Sequence, residues 1–381
     1  MPATTNWDIF CRVVDNYGDI GVCWRLAADL AARGRQVRLW VDDARALHWM
    51  APGALEGKRR DITVLPWTQS SKHEFLATLP RADVIVEGFG CEISPAYLEH
   101  HFADGGASGA RTAWINLEYL SAQDYAERSH LLPSPILHGP ASGQTRHFFF
   151  PGFSTRSGGL LREPDLLQRQ TAFDRQKWLS HFGINPNAGQ LVSLFCYEPA
   201  VLPAVLERLR DGTLPTAVLV TAGRATAAVR EWMGRSAPGS TDGATVAIGN
   251  VSLTFLPPLS QLDFDHLLWS CDLNFVRGED SLVRAIWADR PFVWQIYPQD
   301  DGAHHAKLEA AMEAMGAPAS WRSFHAAWND LTASLPEWDM PEWGRAANGA
   351  RSRLLAQVDL TTRLLEFAEA PQASRSAPEN R

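Results

Sequence analysis

The chain is short of basic residues: 35 lysines and arginines stand against 43 aspartates and glutamates, a net charge of −8 with histidines neutral. A nucleic-acid binder normally carries the opposite surplus, because bulk attraction holds the phosphate backbone. Nucleic acid is therefore not the expected main partner, whereas a protein with a basic patch would suit. Cysteine is sparse as well. The five present (Cys11, Cys23, Cys91, Cys196, Cys271) are odd in number and scattered, with no C-x-x-C pair. That pattern predicts neither a disulfide framework nor a zinc knuckle, and it fits a reducing cytoplasm. No apolar run approaches the roughly 18 residues needed to span a bilayer, and residues 1–6 are polar and unlike a signal peptide. A cytoplasmic protein with no membrane partner is expected.

Apolar bulk is plentiful. Apolar residues make up 45% of the 381 and charged ones 20%, which excludes general disorder and predicts two domains at roughly 100–200 residues each. The fifteen tryptophans are read mostly as packing residues whose indole N–H finds an acceptor.

Residues 9–14 read as a buried strand that enters the turn-rich Asp15-Asn16-Tyr17-Gly18-Asp19-Ile20-Gly21. Residues 22–33 carry apolar side chains at helical spacing (Val22, Leu26, Leu30) up to Gly34, and 37–41 read as the next strand, completing a βαβ unit. Further strands are predicted at 62–65, 84–86 and 112–115. Residues 133–159, rich in glycine, serine and proline but carrying His147-Phe148-Phe149-Phe150, read as a domain end and connector. The pattern then restarts, with strands at 191–195, 217–220, 251–256, 273–276 and 292–296. Helices are predicted at 201–210, 264–269, 281–288 and 303–315. From about Arg351 one amphipathic helix is expected, followed by a polar tail. The predicted organisation is α/β: an N-terminal domain over 1–175 and a C-terminal domain over 180–350. A helix over 351–370 packs back toward the first domain, and a tail covers 371–381. Two such halves suggest Rossmann-like domains facing across a cleft, with ligands at the carboxyl ends of the strands.

The first motif lies where a dinucleotide fingerprint would lie, with Asp42 about 20 residues on. Asn16 replaces its first glycine, and Asp15 and Asp19 would point negative charge into a pyrophosphate. Nicotinamide-cofactor binding is therefore disfavoured. A helix starting after Gly21 would instead favour an ionised carboxylate. Asp19 as a plain helix cap is the bland alternative, and it leaves Asp15 without a role.

The second motif is Asp272-Leu273-Asn274-Phe275-Val276-Arg277-Gly278-Glu279-Asp280-Ser281. A buried strand ends at Arg277-Gly278, and a helix capped by Asp280 or Ser281 follows. Gly278 permits close backbone approach, Arg277 offers a bidentate fork and Ser281 a hydroxyl donor, so the segment suits a diphosphate. An ordinary helix start with a surface ion pair is the bland alternative. Glu279 and Asp280 cannot both face the anion, so at least one turns to sugar hydroxyls or caps the helix. Tyr197 lies just past strand 191–195, and Phe255 and Phe264 flank Gln261, a slot for a flat base with one amide to read its edge. Taken singly, each aromatic fits the core as well.

Through these motifs the sequence resembles one family. Asp15 to Val22 with Trp24-Arg25-Leu26, Asp272 to Ser281 with Arg284-Ala285, and Pro291-Phe292-Val293-Trp294-Gln295-Ile296-Tyr297-Pro298-Gln299 are similar to the signatures of the bacterial protein-arginine rhamnosyltransferases called EarP. The resemblance runs from about residue 7 to 370. It implies a GT-B glycosyltransferase fold, dTDP-β-L-rhamnose as donor and an arginine of elongation factor P as acceptor. The anomeric carbon inverts to give α-rhamnosyl arginine. It also implies that Asp15, Asp19 and Glu279 are the essential acidic residues. Phe195, Tyr197, Gln261, Phe264, Arg277, Asp280 and Ser281 then bind nucleotide and sugar, and Asn16, Tyr17, Gly18 and Gly21 shape the loop. Pro258, in Leu256-Pro257-Pro258-Leu259, stands where family members are more aromatic, which leaves the thymine's stacking partner open.

The residues suit that chemistry. A guanidinium has a pKa above about 12 and no free lone pair. A carboxylate bonded to it holds the attacking nitrogen and takes its proton. Asp19 is the preferred base and Asp15 the positioning or sugar-binding group, with the reverse assignment as the alternative. Arg277 and Tyr197 would stabilise the leaving diphosphate, and Glu279 would orient rhamnose or the acceptor. Asp42-Asp43 and Asp300-Asp301 are adjacent pairs rather than a D-x-D, so no metal and no other cofactor is expected. The competing readings are a GT-B nucleotide-sugar transferase with a glycan or lipid acceptor, a nucleotide-sugar epimerase, and a non-catalytic binder of elongation factor P.

Overall fold

The computed structural model describes residues 5–14, 17–103, 112–185, 189–236, 245–298 and 302–370. The chain divides into two compact units, Met1–Glu163 with Gln357–Arg381, and Pro164–Ala356.

The first unit is built on a seven-stranded sheet: β1 (Asn6–Cys11), β2 (Gln36–Val41), β3 (Ile62–Pro66), β4 (Val84–Gly88), β5 (Ala113–Leu117), β6 (Pro133–Pro135) and β7 (Thr145–Phe149). Its order is β3-β2-β1-β4-β5-β7-β6, parallel throughout except for β6 against β7. Both faces are buried, as continuous apolar strands of a parallel sheet require. Trp7, Ile9 and Cys11 of β1 join Leu26 and Leu30 of helix Gly18–Ala32 on one face. Phe10 joins Trp40, Ile85 and Trp114 on the other. The expected connector over 133–159 is in fact part of this sheet. Buried His147 and Phe149 alternate with half-buried Arg146 and Phe148, the two-residue period of a strand, and β7 lies parallel beside β5.

The second unit holds β8 (Gln190–Leu194), β9 (Thr216–Val220), β10 (Val246–Ile248), β11 (Val251–Phe255), β12 (Leu273–Arg277) and β13 (Phe292–Gln295). Its order is β10-β11-β9-β8-β12-β13, with only β10 antiparallel. The unit takes its first helix, Leu166–Ala172, from before the expected boundary at residue 175. Gln170 Nε2 donates to the Trp287 carbonyl at 2.7 Å, Arg175 Nε donates to the Ser270 carbonyl at 2.8 Å, and Trp178 and Leu179 pack with Leu191, Leu219 and Leu267.

The single helix expected from Arg351 is two. Helix Met340–Leu355 belongs to the second unit and helix Leu360–Glu369 to the first. The break has a local cause: the Asp359 side chain accepts the Thr362 N–H at 2.9 Å and caps a new helix. Leu360, Leu364 and Phe367 then enter the core of the first unit. Arg33 secures the same turn by donating to Asp359 at 2.8 Å and to Thr362 at 2.6 Å.

Candidate functional site

Each sheet contains one place where the direction of strand addition reverses. In the first, the chain leaves β1 for β2 and β3, then returns to place β4 on the other side of β1. In the second, β9 and β11 lie to one side of β8, and β12 and β13 to the other. Crevices at the carboxyl ends of such strand pairs are the usual ligand sites of open α/β sheets. The two motifs singled out in the sequence sit at these two places.

In the first unit the helix begins at Gly18 rather than after Gly21. Tyr17 is its N-cap and makes no side-chain capping bond, so Asp19 is not the cap but lies inside the first turn. Asp19 is buried, at 3% exposure. Its Oδ2 accepts the Val14 N–H at 2.8 Å and its Oδ1 accepts the Tyr119 hydroxyl at 3.5 Å. The Val14 N–H and the start of the helix both direct partial positive charge at the carboxylate. Gly21 is buried in the same helix, and Tyr17 sets its half-exposed ring edge-on to Trp49 at 5.1 Å. Asp15 and Asn16 lie outside the described residues.

Neighbouring strands build the rest of this end. Gly88 closes β4 where a Cβ would stand 2.8 Å from the Phe10 carbonyl and 3.0 Å from Cys23 Sγ, so a larger residue there would push the strands apart. Phe89 follows in a left-handed conformation, φ 59°. Its ring stacks on Tyr119 with centroids 4.5 Å apart and planes at 18°. The Gly90 N–H donates to Asn116 Oδ1 at 3.0 Å, and Asn116 Nδ2 donates to Glu118 Oε1 at 2.7 Å. Beneath them the buried Cys11 thiol is held well above its usual pKa by its bond with Cys23 and by burial, the state of an unreactive cysteine. Sequence reading missed Phe89 and Tyr119. The signal was there in the aromatic residues just past the ends of β4 and β5.

In the second unit the helix likewise begins early. It spans Gly278–Ala288, with Arg277 as N-cap and no side-chain cap, and Gly278 takes φ 66°. Neither Asp280 nor Ser281 caps it. Ser281 is buried in the first turn, where its Oγ accepts the Arg277 N–H at 3.0 Å and donates to the Arg277 carbonyl. The hydroxyl expected to face an anion is thus turned to the backbone. Glu279 and Asp280 also sit in the first turn, and Glu279 Oε1 accepts from Lys307 Nζ at 2.5 Å.

Arg277 is the centre of the constellation. Its guanidinium lies 4.6 Å from the Phe195 ring centroid and 4.4 Å from that of Tyr197, within cation–π range. Phe264 meets Phe195 edge-on at 5.3 Å. Tyr197 donates its N–H to Gln295 Oε1 at 2.8 Å, and its ring meets Tyr297 edge-on at 5.8 Å and the Arg224 guanidinium at 5.1 Å. Gln261 opens helix Gln261–Ser270, which Ser260 caps by accepting the Asp263 N–H at 3.1 Å. Phe255 ends β11, two strands from β8, against Arg230 at 5.4 Å. The structure therefore brings Phe195, Tyr197, Phe264, Arg277 and Gly278 together and adds Arg224, Tyr297 and Lys307, which sequence reading did not single out. A buried bidentate pair fixes the helix that presents them: Arg284 donates to Asp265 at 2.9 and 2.6 Å.

No group of three metal-ligating side chains occurs among the described residues. Asp42 accepts the Val13 and Asp43 N–H groups, and Arg45 bonds to Asp43 and holds its carboxyl down at about 2. Asp300 and Asp301 lie outside the described residues. No helix of those described is long and apolar enough to cross a membrane. The first unit thus offers a buried carboxylate beside an aromatic pair, suited to a cation. The second offers an arginine, aromatics and a helix N-terminus, suited to a nucleotide diphosphate.

Known proteins resemble the chain in sequence and fold. The family model for elongation factor P (EF-P) rhamnosyltransferase EarP matches residues 7–369. The protein-arginine rhamnosyltransferase of Pseudomonas aeruginosa is 41% identical, with 95% of this chain and 98% of that relative covered. Its counterpart in Pseudomonas putida is 42% identical, with coverage of 96% and 99%. The solved structure reported as the structural basis for EarP-mediated arginine glycosylation of translation elongation factor EF-P superimposes with a TM-score of 0.63. It is 31% identical and covers 96% of this chain and 98% of that one. Acinetobacter baumannii MurG, 13% identical with a TM-score of 0.50 over 96% and 99% of the two chains, shares the fold alone. That fold is the GT-B glycosyltransferase architecture.

Proposed function

The chain belongs to the EarP family of elongation factor P rhamnosyltransferases, and we propose that it moves L-rhamnose from dTDP-β-L-rhamnose to an arginine of elongation factor P, inverting the anomeric carbon. The observation that carries this reading is the division of labour between the two units: a buried, helix-held carboxylate in one and an arginine–aromatic anion cradle in the other.

In the proposed reaction the donor's diphosphate is held by Arg277 and the helix N-terminus that opens at Gly278. Phe195, Tyr197 and Phe264 pack against the nucleotide, with Gln261 reading the base edge and Asp280 reaching sugar hydroxyls. Arginine is a poor nucleophile because its lone pairs are delocalised and its pKa exceeds about 12. Asp19 accepts an N–H of the guanidinium, localises electron density on the attacking nitrogen and takes the proton as the nitrogen–carbon bond forms. The bond from the anomeric carbon to the diphosphate breaks, and dTDP leaves with its new charge balanced by Arg277. Asp15 positions the rest of the guanidinium or a sugar hydroxyl. Glu279, held by Lys307, orients rhamnose or the acceptor. Ser281 supports the cradle through the Arg277 backbone rather than as a diphosphate donor.

A cytoplasmic location belongs to the same reading, since the acceptor serves translation. The reaction as written uses no metal, and full activity in EDTA is the expected outcome. Mass spectrometry of elongation factor P after incubation with enzyme and dTDP-rhamnose tests the whole proposal. One added deoxyhexose on arginine supports it, and no addition by folded enzyme sinks it.

A further inference from the structure

We infer that Tyr119, seated on Phe89, is the surface on which the acceptor's guanidinium stacks as it reaches Asp19; this deepens the functional reading above and rests on it.

Four observations converge on the pair. Phe89 holds φ 59°, a region that bulky side chains avoid and that persists where the surroundings impose it. Its backbone is clamped there: the Phe89 N–H donates to the Leu117 carbonyl at 2.7 Å, and the next N–H, that of Gly90, donates to Asn116 Oδ1 at 3.0 Å. That backbone sets the Phe89 ring nearly parallel to Tyr119 at 4.5 Å, so one face of the tyrosine is backed while the residue stays 40% exposed. The same tyrosine's hydroxyl reaches Asp19 Oδ1 at 3.5 Å, although Asp19 itself is only 3% exposed.

A ligand bonded to Asp19 Oδ1 lies beside the ring whose hydroxyl touches that oxygen. The ligand that gains most from a flat ring beside a carboxylate is itself flat and cationic. A guanidinium stacks on an aromatic face and forks its N–H groups onto a carboxylate, whereas an ammonium is a compact, strongly hydrated point charge. Tyr119 thus selects arginine by shape, and its hydroxyl keeps the Asp19 carboxylate turned toward the stacked cation.

Steady-state kinetics with elongation factor P varied at saturating dTDP-rhamnose tests this. Tyr119→Leu is expected to raise the KM for elongation factor P about tenfold or more, and Tyr119→Trp, which keeps a broad face, to restore it to within about threefold. Tyr119→Phe should leave KM nearly unchanged and lower kcat a few-fold, by removing one of the bonds that orient the carboxylate. Donor affinity measured by calorimetry should equal that of the wild type in all three, and hydrogen exchange over strands β1, β4 and β5 should match the wild type, which shows that the first unit is folded. An unchanged KM in Tyr119→Leu, or a Tyr119→Trp no better than Tyr119→Leu, overturns the inference. If the leucine variant does not fold, the wild-type enzyme decides. The Tyr119 ring resonances, assigned by their loss in Tyr119→Phe, should shift with elongation factor P and not with a version whose acceptor arginine is alanine. Equal shifts with both overturn the inference. A wild-type enzyme that transfers no rhamnose overturns the functional reading instead.

Discussion

The two units solve the same geometric problem with opposite charges. Each opens a helix on a glycine just past a buried strand or loop, Gly18 in one and Gly278 in the other, and neither start carries a side-chain cap. The first then places a carboxylate, Asp19, inside the opening turn. The second places an arginine at the N-cap itself and flanks it with Phe195 and Tyr197. A helix N-terminus is positive in both. In the first unit that field meets the Asp19 carboxylate, an arrangement that suits a cation. In the second the field adds to Arg277, an arrangement that suits an anion. The scaffold supplies a place, and one or two side chains decide what binds there.

The sharpest way to break this comparison is to neutralise the first unit. Asp19→Asn keeps the shape and should cut transfer about a thousandfold, within the range for losing a general base, while calorimetry shows donor binding unchanged. Lost donor binding would instead move Asp19 to the donor side. The units should also differ in acid. His325 in the second unit is buried, with Nε2 accepting the Trp294 N–H at 2.9 Å and Nδ1 bonded to the Trp321 carbonyl at 3.0 Å, and burial pushes it down to about 4. The unfolded chain takes up this proton near pH 6.5 and the folded chain only near 4. The neutral imidazole therefore costs nothing above 6.5, and stability falls as the pH drops from 6.5 to 4, by about 3 kcal/mol. In the first unit His101 and His130, also pushed by burial to about 4, drive the same loss. There it is opposed by the carboxyls of Asp8, Asp29 and Glu87, which burial raises and whose charge penalty is relieved as they protonate. Urea unfolding at pH 7 and pH 4.5 should show a loss that shrinks in His325→Gln, and an equal loss in that variant would refute the assignment.

Removing the cation of the second unit comes next. Arg277→Met should weaken dTDP-rhamnose binding about 10- to 100-fold and leave affinity for elongation factor P intact. Arg277→Lys should recover little of it, because a lysine lacks the flat fork that stacks on Phe195 and Tyr197. Weakened acceptor binding in either variant would erase the division between the units. The smallest expected effect is that of Lys307→Met, a few-fold fall in kcat from freeing Glu279, in line with a half-buried ion pair worth about 1 kcal/mol. A fall as large as that of Asp19→Asn would mean that Lys307 itself touches the substrates.

Much of this was legible in the sequence for a physical reason. Strands buried on both faces are unbroken apolar runs, which made most of the parallel strands visible. Strand β7 was hidden because glycine, serine and proline surround it. Both functional helices were expected three to four residues late, and for one cause: Tyr17 and Arg277 have none of the Ser, Thr, Asp or Asn chemistry that marks a helix start. The acidic and arginine-bearing motifs were legible because their residues are local. Tyr119 and Lys307 were not, because Tyr119 meets a residue 100 positions away and Lys307 one 28 positions away, and only the fold makes such neighbours. The donor, the acceptor and the roles of individual acids came from family resemblance rather than from pattern.

The return of helix Leu360–Glu369 to the first unit has a consequence for the order of synthesis. The second unit is one continuous stretch, Pro164–Ala356, and every residue of it is synthesised before Leu360, Leu364 and Phe367. Until they arrive, the face of Leu26 and Leu30 lacks its cover and Arg33 lacks Asp359 and Thr362. The first unit is therefore completed only after the second has been synthesised, and the helix bearing Asp19 gains its final packing only once residues 360–367 are made.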